Sequence, residues 1–297
     1  MCTNFLGDLM KKSYLYAATS ILLWSTTAAI SKLLLNKMDS FQVLMYSSLF
    51  AFLTLLIILI ATKKIKLIIN YRLSDYLKTL LIGLPGTFFY YVFYYLGTER
   101  MEASQAFIVN YLWPIMSVVF AVIILHEPMT TRKGLAIAIS FLGILTVTGK
   151  EILNFNKETL LGAALCALGA VAYGLYTALN KKWQYDDLLT VMISSLASFV
   201  ITLIINLFGG EIVIPNALET LGFIWNGSFI IGIATVTWGL ATRAGNTAKV
   251  SNLAYLTPFL SLIFTYFILD EQIKPLSIIG LLIIILGIFI QLKDKKN

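Results

Sequence analysis

The chain has 297 residues, 59% of them hydrophobic and only 12% charged, with a mean hydropathy of +0.85. Soluble domains carry about 25% charged residues, so a soluble globular protein is excluded, as are a disordered chain and, with only Cys2 and Cys166, a disulfide scaffold. A net charge of +7 raises nucleic acid as a partner until the basic residues are placed along the chain.

A membrane helix needs about 20 mostly apolar residues. Charged and turn-forming residues cut the chain into ten such stretches: 14–35, 41–62, 77–96, 103–125, 134–149, 160–180, 188–208, 220–242, 250–269 and 276–292. The first thirteen residues are too short and polar for a cleaved presequence, so the first stretch is expected to remain as a span. Pro85 and Gly86 are expected to bend the third, and Gly162, Cys166, Ala170 and Gly174 recur every four residues along the sixth, which favours close helix approach. Leu, Ala and Ile without a period-2 polar face argue against a barrel of strands. The prediction is an all-α membrane protein of ten transmembrane helices.

Sixteen lysines and arginines fall on one face of this arrangement, among them Lys11, Lys12, Lys63, Lys64, Lys66, Arg132, Lys133, Lys181 and Lys182. Five fall on the other: Lys37, Arg100, Lys150, Lys157 and Lys274. The bias makes the basic face cytoplasmic, with both termini on it, and gives a multi-pass protein of the cell (cytoplasmic) membrane. The basic charge then belongs to the lipid bilayer, and no nucleic acid is expected. The basic loop after the second stretch suits anionic headgroups.

Shifted by 144, Tyr111, Leu112 and Pro114 fall on Tyr255, Leu256 and Pro258, and Ser117, Phe120, Ile124, Leu125 and Glu127 on Ser261, Phe264, Ile268, Leu269 and Glu271. That is eight identities in seventeen positions. A shift of about 149 brings Lys32 onto Lys181 and Trp24 onto Tyr173. Residues 1–150 and 151–297 therefore read as two repeats of five spans within one membrane unit. Five is odd, so the second repeat enters from the opposite side, an inverted repeat of the kind that serves alternating access.

Ten spans in two halves, the Tyr-Leu-Trp-Pro run 111–114, Glu127 before Pro128 and its mirror Glu271 resemble the drug/metabolite transporter superfamily, EamA type. The run Asn110 to Pro114 and the tyrosine-rich third helix look like the bacterial aromatic amino acid and paraquat exporters. The resemblance implies transport and carries both Tyr111 and Trp113 as site residues.

The residues themselves suggest where a path would lie. Pro114 and Pro258 sit deep in their helices, remove a backbone donor and free the carbonyls of Asn110 and Ala254, which makes them candidate hinges. Asn110, Tyr111 and Trp113 would offer an amide and two aromatic surfaces. Tyr111 and Trp113 lie about 200° apart on an ideal helix, so both reach one cavity only if the helix is distorted. Tyr90 and Tyr94 share a face at i, i+4, Tyr173 occupies the sixth helix, and Trp238 takes the place of Tyr94 in the second half. Lys32 is read either as snorkelling or as the attractor of a substrate carboxylate, Lys181 likewise at the other mouth.

All fifteen carboxylates are assigned to loops or helix ends, so a buried Asp or Glu, the usual proton relay, is read as missing. No metal-ligand motif, phosphate loop or catalytic constellation occurs, so neither cofactor nor enzyme activity is expected. The expectation is a secondary transporter, exporter or exchanger, of small metabolites, chiefly amino acids including aromatic ones. Its rivals are an exporter of flat cationic drugs such as paraquat, a membrane-embedded enzyme and a scaffold. A homodimer is allowed.

Overall fold

The computed structural model describes residues 2–147, 156–209, 211–244, 253–254 and 256–292, without the side chains of 2–11, 242–244, 291 and 292. The start of the 250–269 stretch, Tyr255 and Lys150, Lys249, Lys293, Lys295 and Lys296 lie outside them, as do the side chains of Lys11 and Arg243.

Among the described residues the chain is helical throughout, with no strand. The helices are α1 (Cys2–Ser25), α2 (Thr27–Leu35), α3 (Ser40–Ala61), α4 (Lys66–Asn70), α5 (Leu73–Leu84), α6 (Tyr90–Glu99), α7 (Ala103–Asn110), α8 (Trp113–Leu125), α9 (Thr131–Val147), α10 (Lys157–Trp183), α11 (Asp187–Gly209), α12 (Ala217–Ile224), α13 (Thr235–Ala244), α14 (Leu256–Leu269) and α15 (Pro275–Leu292). Among the described residues seven helical stretches are long and apolar enough to cross a membrane: Lys12–Leu35, Ser40–Ala61, Leu73–Glu99, Ala103–Leu125, Lys157–Trp183, Asp187–Gly209 and Ala217–Ala241. Leu256–Leu269 and Pro275–Ile290 are shorter apolar helices.

Local chemistry sets the boundaries. The Asp39 carboxylate accepts from the amides of Phe41 and Gln42 to start α3, and Asn216 and Glu219 form a reciprocal capping box at α12. His126 and Gln184 end α8 and α10 in the left-handed region, at φ 55° and 51°. Pro85 and Gly86 do more than bend the third span: residues Pro85–Phe89 form a π-helical stretch, and Trp225–Ala234 form another between α12 and α13.

Among the described residues two stretches depart from the single helices expected. The first breaks at Thr26, whose hydroxyl turns back to the Leu23 carbonyl at 2.7 Å. The fourth breaks at Tyr111–Leu112. Pro114 is therefore not a kink in mid-helix: it is the second residue of α8, where a missing N–H removes no internal bond. At the start of α14, Thr257 donates its amide to the Ala254 carbonyl at 2.9 Å.

Lipid is as apolar as a leucine surface, so helices associate through close packing and polar ties. The predicted small-residue face of α10 does this. Gly162 faces Gly97 of α6, where an added Cβ would lie 2.9 Å from the Gly97 carbonyl, and Gly174 abuts Met116 of α8. In the same way α9 runs along α15, α3 along α11, and α1 along α13 and α14.

Candidate functional site

The two breaks converge with the start of α14. Trp24 and Thr27 flank the first, Asn110, Tyr111 and Trp113 the second, Ala254 and Thr257 stand at the start of α14, and all of them line one pocket, open to solvent, whose space including that opening is about 510 Å3. Tyr90, Tyr91, Phe107, Tyr173 and Thr235 complete its wall. Seven of the twelve wall residues are aromatic, four are Thr or Asn, and none is charged.

The break in the fourth span resolves the geometry that a straight helix forbids: Tyr111 and Trp113 both reach the cavity, their rings edge-on at 6.2 Å. Trp113 meets Tyr173 at 5.1 Å, and Tyr173 meets Tyr90 at 4.9 Å, so the rings form a continuous wall. Asn110 Nδ2 donates to the Tyr90 hydroxyl at 2.8 Å, which fixes both side chains. The carbonyl of Ala254, which already takes the Thr257 amide at 2.9 Å, also accepts a hydrogen bond from the Tyr111 hydroxyl. One phenol thus ties the broken fourth span to a residue ahead of α14.

Five of the eight binding residues expected from the sequence stand in this wall: Tyr90, Asn110, Tyr111, Trp113 and Tyr173. Tyr94 and Trp238 stand behind it. Tyr94 is fully buried and stacks parallel on Tyr90 at 6.1 Å, and Trp238 backs Trp24 at 5.5 Å. Lys32 is placed elsewhere. Its ammonium donates to the carbonyls of Thr98 and Met101 at 2.5 and 2.9 Å, a cation on the C-terminal end of α6. It neither lines the cavity nor reaches for headgroups. Lys181 pairs with Glu127 at 3.0 Å near the basic face, and Lys133 adds a second bond at 3.3 Å. The hydrogen bond from Lys181 is the chief reason that the Glu127 carboxyl titrates below its ordinary range, with Lys133 adding to it.

Trp24, Thr27, Tyr91, Phe107, Thr235, Ala254 and Thr257 are wall residues that the sequence reading did not select. Trp24 carried a signal, since the repeat places it on Tyr173. One carboxylate also corrects the expectation that none is buried: Asp187, the first residue of α11, is 7% exposed and accepts from Asn180 Nδ2 at 2.9 Å. The described residues hold no group of three or more His, Cys, Asp or Glu arranged for a metal.

Comparison with known proteins agrees with this architecture. An uncharacterized transporter of Bacillus subtilis, YoaV, is 27% identical over 79% of this chain and 80% of its own. The aromatic amino acid exporter YddG of Ancylobacter novellus is 24% identical over 60% of this chain and 63% of its own. An S-adenosylmethionine uptake transporter of Rickettsia prowazekii is 24% identical over 96% of both. A protein crystal structure shares the fold with a TM-score of 0.69 at 19% identity, over 94% of this chain and 96% of its own. The protein is accordingly a multi-pass cell membrane transporter of small molecules and not an enzyme. The EamA-like transporter model matches residues 11–149 and again 160–292, and the chain belongs to that family.

Proposed function

We propose that the protein carries amino acids, aromatic ones included, out of the cytoplasm by alternating access through ten spans arranged as an inverted repeat of residues 1–150 and 151–297. The observation that carries the substrate reading is the cavity wall: seven aromatic side chains with a few uncharged polar groups, suited to a flat apolar body with a compact polar head. With Lys32 engaged at the end of α6, the head would be met by the threonine hydroxyls and Asn110 instead of a cation. Two relatives whose names state a substrate handle amino acid compounds, one by export and one by uptake.

The repeat is supported by the double family match and by paired packing. α1 lies on α13 and α14 as α10 lies on α6 and α8, and α3 meets the 225–234 stretch as α11 meets α5. The two π-helical stretches also fall at corresponding places under the 144-residue shift. The basic face is then cytoplasmic.

Counterflow of labelled phenylalanine in proteoliposomes tests the substrate. Exchange above that of empty vesicles is expected, and its absence for every amino acid would remove this reading. A second reading, export of flat cations such as paraquat, draws on the same wall, since ring faces hold cations without a carboxylate. It predicts that paraquat, and not phenylalanine, drives counterflow.

A further inference from the structure

At the end of the molecule away from the basic face, the corner 98–104 between α6 and α7 is gripped by three side chains from two places. Glu271, in the connection from α14 to α15, accepts from the amides of Ala103 and Ser104 at 2.8 and 3.0 Å, the first two residues of α7. Lys274, in the same connection, pairs with Glu102, the residue that precedes α7, at 2.9 Å. Lys32 of α2 holds the carbonyls of Thr98 and Met101. Each tie joins one packed group, α1, α2, α13 and α14, to the other, α6, α7, α8 and α10. α2 and α14 also pack directly on α7 here.

The opposite end is built differently. Glu127, which the repeat matches to Glu271, is bonded to Lys133 of α9 and Lys181 of α10. α8 already packs on both of these helices, so those bonds tie no element of one group to the other. Accessibility follows the same division. Between the cavity and the Glu271 corner, Tyr94 and Thr98 are fully buried and Ser261 and Thr265 are 1% exposed. On the basic side the wall residues Trp113 and Tyr173 remain partly accessible.

We infer that Glu271 is the positioning residue that holds the outer mouth of the transporter shut, and that its release from α7 accompanies opening to the outside. The inference rests on the alternating-access reading. A carboxylate on two amides of a helix start makes charge-assisted bonds aligned with the helix dipole, and letting go leaves two donors in need of water. Such a contact is made or broken as a unit, which suits a two-state gate. α7 also connects the two regions: its eight residues run from the Glu271 corner to Phe107 and Asn110 in the cavity wall, so one short rod feels both the latch and the cargo.

The test uses the full chain in spheroplasts, in a Cys2→Ser, Cys166→Ala background carrying Thr265→Cys, with a membrane-impermeant maleimide added outside. The parent is expected to label slowly, Glu271→Ala about tenfold faster, and Glu271→Gln in between because one acceptor survives. Glu219→Ala removes the carboxylate of a capping box internal to α12, which ties neither group to the other, and is expected to label at the parent rate. Labelling of Glu271→Ala at the parent rate, or equal acceleration by Glu219→Ala, would overturn the inference. If Glu271→Ala does not accumulate, Glu271→Gln decides on the same terms. Labelling and substrate fail separately: loss of counterflow with accelerated labelling removes the amino acid reading alone, whereas intact counterflow with unchanged labelling removes the latch alone.

Discussion

The cavity wall and the α9/α15 seam are both made where helices meet, but they use opposite side chains. At the seam small residues let backbones touch: Gly143 faces the Gly280 carbonyl, Gly280 faces the Gly143 carbonyl, and the Ser140 hydroxyl reaches the Ile284 carbonyl at 3.4 Å. At the cavity large rings keep the helices apart, and backbone polarity such as the Ala254 carbonyl is met by side chains such as Tyr111. The difference teaches where rigidity and room are placed. A glycine seam has one close-packed arrangement, whereas a ring-lined gap can change its contents without a backbone clash.

The comparison is broken most severely at the seam. Gly280→Val places a Cβ about 2.7 Å from the Gly143 carbonyl, a backbone atom that cannot rotate away. Overpacking of this kind typically costs about 1–3 kcal/mol. The expected result is loss of most monodisperse protein after mild heating, followed by fluorescence-detected size exclusion. The cavity should behave otherwise. Trp113→Ala is expected to leave that profile near the parent and to weaken substrate affinity about tenfold in equilibrium binding, since an aromatic contact and its buried area are lost. A parent-like affinity would take Trp113 out of the site.

A smaller effect is expected at Tyr111→Phe, which keeps the ring and removes one of the two hydrogen bonds on the Ala254 carbonyl, at about 1 kcal/mol by the measure of hydrogen bonds in membranes. A lowered turnover with unchanged affinity would place the bond in motion of the broken spans instead of in recognition. The smallest change concerns Glu127. Its pKa is lowered in the folded protein, so its contribution to stability is fully present above the ordinary value of about 4.5 and is lost as pH falls through the lowered one. Melting temperature should therefore drop below about pH 4.5 in the parent and drop less in Lys181→Ala. Identical pH profiles would show that the pair adds nothing to stability.

Apolar length made the helices and their order legible, and the pairing of Tyr111 with Trp113 made the distortion of the fourth span legible, because two residues two apart cannot share a face of a straight helix. The break at Thr26 was not legible. Neither Pro nor Gly marks it, and what ends α1 is a hydroxyl turning back on a local carbonyl. Trp24 went unselected with it. Lys32 was misplaced for a different reason. A lysine announces a charge but not its partner, and here the partners are main-chain carbonyls some 66 and 69 residues away, with no signature of their own. Asp187 shows the same limit: a carboxylate at a helix start reads as exposed until Asn180 and Gly239 are packed against it.

The π-helical stretch Pro85–Phe89 has a consequence for the tyrosines that follow it. A π turn accommodates one residue more than an α turn, and on a helix one residue is about 100° of rotation. Deleting a single residue from 85–89 would let the segment relax to an ordinary α-helix and swing α6 through about that angle. Tyr90 would leave its bond with Asn110 and another ring would take its bearing. The aim of the tyrosine wall is thus set by a surplus of one residue upstream, a single-codon feature that a composition-preserving shuffle of the same helix would erase.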